Sequence, residues 1–234
     1  MIKTVILAGG LGTRISEETG KIPKPMVKVG GLPIIHHIIK IYESYGYDDF
    51  IICGGYKYNL IKNYFKKAKL KSKVLVVNTG INTMTGGRIL KIKNLLKNDK
   101  KFFLTYGDGV SNININKVLK LHNQKKKLLT LTAVQPNLKY GVVKFSKNKL
   151  SIEKFEEKPK KHFISGGFFV VSTEIFKYIS GPKSIFEFNC LPKLAKQKKI
   201  IGYKHWGFWH SLDTMKDKIN LNRIWNKGNA PWIK

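Results

Sequence analysis

Residues 7–14 read Leu-Ala-Gly-Gly-Leu-Gly-Thr-Arg, and they complete a short apolar run that begins at Val5. A run of that length, closed at once by glycines, is typical of a buried strand that ends in a tight loop. The three glycines let the backbone approach a ligand and leave N–H groups free for phosphate oxygens, while Arg14 adds a fixed positive charge. The stretch therefore predicts an α/β fold with an anion-binding loop after its first strand. The alternative is a glycine turn that only connects a strand to a helix.

The loop differs from two familiar nucleotide-binding motifs. A Walker A loop needs Gly-Lys-Ser/Thr after its glycines, and the chain lacks that sequence. A dinucleotide fingerprint would place a third glycine where Ile15 stands. It would also place an acid after the second strand, where Gly54 and Gly55 stand. We therefore expect a nucleotide site of another kind.

The rest of the chain continues the strand–helix alternation and then changes. Apolar runs predict further strands at residues 50–53, 74–77, 102–106 and 128–134, with helical spacing between them. This order predicts a mixed, mainly parallel sheet flanked by helices. After Pro136, short apolar runs at 142–145, 150–155 and 168–171 predict a smaller antiparallel section. Helices are expected at 173–179 and 212–225.

The composition is strongly basic. The 234 residues carry 44 Lys+Arg against 14 Asp+Glu, a formal net charge of +30, and only three of the basic residues are arginines. Nucleic-acid-binding proteins concentrate charge on one face and favour arginine, whereas these lysines are spread along the chain. We therefore expect a general lysine enrichment and consider nucleic acid an unlikely partner. A polyanion-binding surface is the alternative.

Other features restrict the class of protein. No apolar run approaches the roughly 18 residues that a membrane span needs, and the start of the chain lacks the pattern of a signal peptide. Cys53 and Cys190 alone make no disulfide framework. With 42% hydrophobic residues the chain can bury a core. We expect a soluble, cytoplasmic protein with no membrane partner.

Lys24 is the first candidate for chemistry outside the loop. Pro23 and Pro25 bracket it and hold the backbone extended. Such ordering reduces the entropy that is lost when a lysine meets a phosphate. The alternative is a solvated surface lysine, one of many in this chain.

Two of the six aspartates complete the candidate set. Asp108 follows a predicted strand, at the sheet edge where ligands of open α/β folds bind, although an Asp-Gly turn is the alternative. Asp213 is a second candidate metal ligand, although it could instead cap a helix, since Thr214 and Asp217 resemble a capping box. Hard cations need such oxygen ligands, so the pattern indicates a Mg²⁺–nucleotide site.

The order of the motifs resembles that of the sugar-1-phosphate nucleotidyltransferases. The residues that carry the resemblance are Gly9–Arg14, Pro23–Met26, Gly30-Gly31-x-Pro33, Thr83–Arg88, Thr105–Val110, Glu157-Lys158-Pro159, Gly166–Phe169, His205-x-Gly207-Phe208-Trp209, Asp213-Thr214 and Ala230-Pro231-Trp232. Within the family the chain is most similar to the glucose-1-phosphate cytidylyltransferases.

The resemblance implies a fold, a reaction and a cofactor. The fold would be Rossmann-like, of the nucleotide-diphospho-sugar transferase type. Its single domain would have a nucleotide-binding core at residues 1–135 and a sugar-binding and C-terminal section at 136–234. The enzyme would join an NTP, here CTP, to a sugar-1-phosphate, here glucose-1-phosphate, releasing CDP-glucose or another NDP-sugar and pyrophosphate. Mg²⁺ would be its cofactor. Apolar residues near 225–232 could pack against a second subunit or cover the core.

The resemblance also implies roles for individual residues. The catalytic residues would be Arg14 and Lys24, and the metal ligands would be Asp108 and Asp213. The nucleotide would lie against Leu7, Ala8, Gly9, Gly10, Gly12, Thr13, Gly86, Gly87 and Arg88. The sugar phosphate would lie against Tyr106, Gly107, Glu157, Lys158, Gly166 and Gly167. Arg14, Lys24, Arg88 and Lys158 would be the basic residues that bind anions.

The sequence departs from the family pattern at several positions. Ile22 and Leu32 stand where lysine is common, Asn78 replaces an aspartate, and Ser165 replaces an asparagine before the Gly166-Gly167 pair. The departures leave two alternatives open: a nucleotidyltransferase for another sugar or base, and a non-catalytic nucleotide- or polyanion-binding homologue.

Overall fold

A seven-stranded sheet crosses the molecule. The computed structural model describes residues 2–136, 141–146, 150–157 and 162–233. Over these residues the strands β1 to β13 are Thr4–Ala8, Lys28–Val29, Leu32–Pro33, Asp49–Gly54, Lys73–Asn78, Lys101–Tyr106, Gly109–Ser111, Leu129–Val134, Val142–Phe145, Ile152–Glu156, Ile164–Ser172, Ile200–His205 and Trp209–Ser211. The helices α1 to α7 are Ser16–Thr19, Ile34–Glu43, Tyr58–Lys67, Thr85–Lys91, Ile115–Lys125, Leu191–Lys196 and Met215–Asn226.

The central sheet is mixed and mainly parallel, as the sequence predicted. Its strand order is β12-β8-β11-β6-β1-β4-β5. Strand β1 runs parallel to both neighbours, with Leu7 opposite Cys53 on one side and Tyr106 on the other. The pairs β4–β5 and β8–β12 are also parallel, whereas β11 is antiparallel to β6 and β8. The carboxyl ends of β1 and β6 therefore lie side by side.

The section after Pro136 contains the antiparallel pairing that the sequence predicted. Strands β9 and β10 pair with each other outside the central sheet, whereas β11 lies inside it. The reason is visible in β11, where Phe168, Phe169, Val170 and Val171 are all buried. A strand that is apolar on both faces needs a layer on each side, and the central sheet provides that position. Strand β12, which the sequence pattern did not predict, is a half-buried edge strand that contains Gly202.

Alternate residues of β1 supply the two faces of the core. Ile6 packs with Ile38 and Phe103 in one buried cluster, while Val5 packs with Phe102 and Leu104 in the other. This alternation is the period of two that strands impose on their side chains. Among the described residues, no helix is both long and apolar enough to cross a bilayer.

One of the two helices that the sequence located differs in kind, and the other differs in its first residue. Helix α2 begins directly after Pro33, as expected for proline at a helix start. Residues Thr173–Tyr178 and Lys93–Leu96 form 3₁₀ rather than α-helix. Helix α7 begins at Met215, three residues later than the pattern suggested, because Thr214 is its N-cap.

Candidate active site

Two clefts meet at the carboxyl edge of the sheet. The first, of about 400 Å³, lies over the loop after β1 and is called the glycine cleft. Of the predicted nucleotide-binding residues, those that line it are Leu7, Ala8, Gly9, Gly10, Gly12, Thr13 and Arg88. The second, of about 370 Å³, contains Trp209 and is called the Trp209 cleft. Arg14, Tyr106 and Asp108 line both clefts.

The glycine loop folds tightly against Lys24. Gly12 has a φ of 69°, in the left-handed region that favours glycine. A Cβ at this position would come within 2.9 Å of the Lys24 side chain and of the Thr19 methyl group. The Thr19 hydroxyl also donates to the Gly12 carbonyl at 3.1 Å. Gly12 thus permits the approach that brings the loop and Lys24 to one cleft.

Arg88 lines the glycine cleft and also has a structural role that the motifs did not imply. Its guanidinium donates to the Thr79 hydroxyl at 2.6 Å and to the carbonyls of Gly80 and Gly9, both at 2.8 Å. The residue is only 4% exposed, and burial lowers the pKa of its guanidinium. A Cβ on Gly9 would lie 2.2 Å from this group. The guanidinium therefore fastens the glycine loop to the segment that follows β5, and its contact with a nucleotide stays a prediction.

Replacing Arg88 with Met should destabilise the fold. The change leaves buried carbonyls without donors, and we expect it to lower the free energy of unfolding by about 3 kcal/mol. Urea unfolding followed by circular dichroism measures this quantity. Arg223→Met is the matched control, because Arg223 is exposed and bonds only to Asn220 among the described residues. Equal unfolding midpoints for the two variants would show that Arg88 does not hold the loop.

Gly86 and Gly87 do not line either cleft. A Cβ on Gly86 would meet the Ser184 carbonyl at 2.9 Å, and one on Gly87 would meet the Pro182 carbonyl at 2.2 Å. The two glycines therefore allow helix α4 to dock on the segment before α6. From the same motif, Thr83, Met84 and Thr85 face the glycine cleft instead, and the sequence analysis had not named them as site residues.

Four charged side chains converge where the clefts meet. The Lys24 ammonium lies 2.6 Å from Asp108 Oδ2 and 2.7 Å from Asp213 Oδ1. Arg14, which is largely exposed, places Nη2 2.8 Å from the same oxygen of Asp213. Lys24 is 8% exposed, so it is not the solvated surface lysine that the sequence left open. The structure thus brings both predicted metal ligands and both predicted catalytic residues together.

Asp213 and Lys24 hold their charges within this cluster. Burial acts to raise the pKa of Asp213, but Lys24, Ser211 and Arg14 outweigh it and the net pKa is lowered. Burial likewise acts to lower the pKa of Lys24, but Asp108 and Asp213 outweigh it and the net pKa is raised. A lowered carboxyl pKa and a raised ammonium pKa keep Lys24 and Asp213 charged between about pH 5 and pH 10.

A short ladder positions Asp108 and Asp213. Strand β7 follows Asp108 directly and pairs with β13, placing Gly109 opposite Ser211. The Leu212 N–H donates to the Asp108 carbonyl at 2.8 Å, so the two acids sit at one end of the ladder. The Asp-Gly sequence therefore leads into a strand with a distant partner, rather than a simple turn.

The helix cap next to Asp213 is supplied by other residues. Thr214 is the N-cap of α7 and forms a capping box with Asp217, whose Oδ2 accepts from the Thr214 N–H at 2.8 Å. The Asp213 carboxylate is left to face Lys24, and the Ser211 hydroxyl donates to it at 2.8 Å. The capping interpretation of Asp213 is therefore wrong, because Thr214 occupies that position.

The Trp209 cleft contains the predicted Gly166-Gly167 pair. The Trp209 indole donates to the Gly166 carbonyl at 2.7 Å. Gly167, with a φ of 76°, lets its backbone pack on the Tyr106 ring, which a Cβ would approach to 2.6 Å. Gly107 lies on the glycine-cleft side of Tyr106. The cleft also contains Ser165 and Glu187.

Two predicted sugar-phosphate residues are not placed in this cleft. Glu157 is exposed at the end of the β9–β10 hairpin and lines neither cleft. Lys158 lies outside the described residues. Glu187 was missed altogether, because nothing in its surrounding sequence distinguishes it from a surface acid. Only the fold shows that it enters the cleft.

Comparisons with known proteins identify the family and agree with the fold. Residues 3–217 match the family model described as nucleotidyl transferase. The glucose-1-phosphate cytidylyltransferase of Salmonella typhi is 40% identical, covering 99% of this chain and 98% of the relative. A probable glucose-1-phosphate cytidylyltransferase of Bacillus subtilis is 38% identical, covering 99% of each chain.

A solved structure supports the fold alone. HddC from Yersinia pseudotuberculosis, crystallised with GMP-PN, superposes with a TM-score of 0.75 at 24% identity. The match covers 96% of this chain and 100% of that one.

Proposed function

The chain belongs to the nucleotidyl transferase family, and from this premise we propose that it joins CTP to glucose-1-phosphate, forming CDP-glucose and pyrophosphate. The observation that carries the proposal is the cluster of Arg14, Lys24, Asp108 and Asp213 at the junction of two clefts. Relatives at 40% and 38% identity over nearly the whole chain, named for this activity, support the choice of base and sugar.

The two clefts suit a transfer between two phosphate-bearing substrates. We place the nucleotide in the glycine cleft and the sugar phosphate in the Trp209 cleft. Arg14 and Asp108 then lie between the reacting groups, since they line both clefts. A phosphate oxygen of the sugar attacks the nucleotide α-phosphorus in line, its new P–O bond forms, and the bond to pyrophosphate breaks. Positioning and charge neutralisation carry most of such a reaction.

The loop residues, Arg14 and Lys24 have separate roles in this reaction. The loop residues Gly9 to Gly12 offer backbone N–H groups to phosphate oxygens. Arg14, exposed at the cleft mouth, holds the charge of the leaving pyrophosphate. Lys24 neutralises the charge that develops at the α-phosphate. Its ammonium donates to two carboxylates, which leaves its third N–H for the phosphate.

The residues present fit a divalent metal ion, which members of this family generally use. Asp108 and Asp213 turn oxygens toward one point, and that point already holds a cation, the Lys24 ammonium. No group of three His, Cys, Asp or Glu side chains suited to a metal occurs in the described part of the chain. Phosphate and water oxygens would complete the ligand set, as Mg²⁺ prefers. Bound there by Asp108 and Asp213, Mg²⁺ would neutralise phosphate charge.

A substrate panel tests the proposal. Four NTPs crossed with glucose-, mannose- and heptose-1-phosphates are scored by pyrophosphate release with Mg²⁺. We expect CTP with glucose-1-phosphate to have the highest kcat/KM of the panel. If another pair has the highest kcat/KM, the chain is still a nucleotidyltransferase, but its substrates differ from the proposed ones. If no pair releases pyrophosphate while nucleic acid binds with a steep salt dependence, a polyanion-binding homologue is the better account.

A further inference from the structure

Glu187 is an acid of the Trp209 cleft that the proposed mechanism does not use. It lies in the π-helical turn Phe186–Cys190, just before α6, and is half-buried. The other acids lining this cleft, Asp108 and Asp213, are paired with Lys24. Among the described residues, no lysine or arginine forms an ion pair with Glu187. Its side-chain contacts among those residues are hydrogen bonds.

The two carboxylate oxygens of Glu187 each accept one hydrogen bond. The Thr85 hydroxyl donates to Oε2 at 2.6 Å, and the Tyr106 hydroxyl donates to Oε1. Thr85 also accepts from the Phe186 N–H at 2.9 Å. One acid thus joins two residues that are distant from it in sequence.

These two donors belong to the two substrate clefts. Thr85 lines the glycine cleft at the first turn of α4, and Tyr106 lines both clefts. The Tyr106 ring packs on Gly167, which forms part of the Trp209 cleft. The position of Tyr106 therefore shapes the cleft assigned to the sugar phosphate.

Helix α4 extends the connection to the glycine loop. The N–H of its N-cap, Met84, donates to the Pro182 carbonyl at 2.9 Å, and the Gly87 N–H donates to the Ser184 carbonyl at 3.1 Å. Arg88, the next residue of the helix, donates to the Gly9 carbonyl. The segment that carries Glu187 is thus docked on the helix that fastens the nucleotide loop.

We propose that Glu187 is a positioning residue: it holds the Tyr106 hydroxyl directly and is itself held by Thr85 of α4, so that the sugar-phosphate cleft takes its shape from the nucleotide side. The proposal rests on the proposed function, which places the two substrates in these clefts. Without the carboxylate, the hydroxyls of Tyr106 and Thr85 lose a shared acceptor, and half-buried donors without a partner move to find one. The sugar-phosphate cleft should lose its shape while the glycine loop, held by Arg88, keeps its own.

Glu187→Gln tests the proposal by separating the two Michaelis constants. An amide offers one acceptor oxygen and one NH₂ group, so it cannot accept from both hydroxyls in the same way. We expect KM for the sugar-1-phosphate to rise about tenfold, the size of one hydrogen bond, while KM for CTP changes less than about threefold. Tyr106→Phe removes only the hydroxyl and should raise the same KM.

The double variant Glu187→Gln/Tyr106→Phe supplies the decisive comparison. If the two residues act as one unit, its sugar KM should match that of the worse single variant, not the product of the two effects. Glu174→Gln is the control and should match wild type. Glu174 is an exposed acid that follows the end of β11, whereas the start of that strand lines the Trp209 cleft. Multiplicative effects, or equal rises in both KM values, would overturn the proposal in favour of a general structural role.

The thermal midpoints of the same variants test the hydrogen-bond pair without substrate. Non-additive midpoint shifts are expected for Glu187 and Tyr106, and additive shifts would refute the connection. If wild-type enzyme turns over but Glu187→Gln is indistinguishable from it, the inference alone fails. If wild type releases no pyrophosphate with any pair, the proposed function fails, and the midpoints still decide whether the pair exists.

Discussion

Asp108→Asn should lower kcat at least about a hundredfold, the size expected when one charged stabilising group leaves an active site. Asp108 is at the junction of both clefts and shares Lys24 with Asp213. The change keeps the size of the side chain and removes its charge. Lys24 would then have only Asp213 as a carboxylate partner, and a divalent cation would lose one of two protein ligands.

Two measurements check this result. Steady-state pyrophosphate release gives kcat, and electron paramagnetic resonance of Mn²⁺ gives cation affinity, which should fall together with kcat. Asp48→Asn, an exposed aspartate far from the clefts, should change neither. If the Asp108→Asn enzyme has near-normal turnover and normal Mn²⁺ affinity, Asp108 neither binds the cation nor takes part in the reaction.

Lys24→Met should lower kcat about as much as Asp108→Asn does, but it should strengthen cation binding rather than weaken it. The variant keeps an apolar stem and lacks the ammonium, so kcat should fall about a hundredfold or more. Without nucleotide, however, the ammonium of wild type competes with a cation for Asp108 and Asp213. Removing it should therefore tighten Mn²⁺ binding.

The same two measurements distinguish this prediction from a general loss of folding. A poorly folded variant would lose both kcat and Mn²⁺ affinity. Lys28→Met, at an exposed position four residues later, is the control and should resemble wild type. If Lys24→Met retains its turnover, Lys24 does not stabilise the reacting phosphate, and weaker Mn²⁺ binding would contradict the competition.

The parts of the fold that follow local rules were predictable from the sequence. The run before Gly9 ends a buried strand, Pro33 precedes α2, and the alternation of strands and helices gives the parallel part of the sheet. Asp108 was found because it follows a strand at the carboxyl edge, where ligands bind. These inferences need only the residue pattern near each position.

Features that depend on long-range packing were not predictable. The position of β11 between β6 and β8 depends on strands that come earlier in the chain. The structural role of Arg88 was missed because its motif resembles a substrate-binding one, and only the fold shows that its guanidinium donates to backbone carbonyls. Glu187 reaches the cleft only because the glycines of α4 let its segment dock.

Quantifying the products from CTP and glucose-1-phosphate tests the central claim most directly. With Mg²⁺ present, chromatography should show CDP-glucose and pyrophosphate appearing in equal amounts, and neither should appear when one substrate is omitted. Pyrophosphate formed without CDP-glucose, or no product from CTP with any sugar-1-phosphate, would contradict the claim that these two clefts join a cytidine nucleotide to a sugar phosphate.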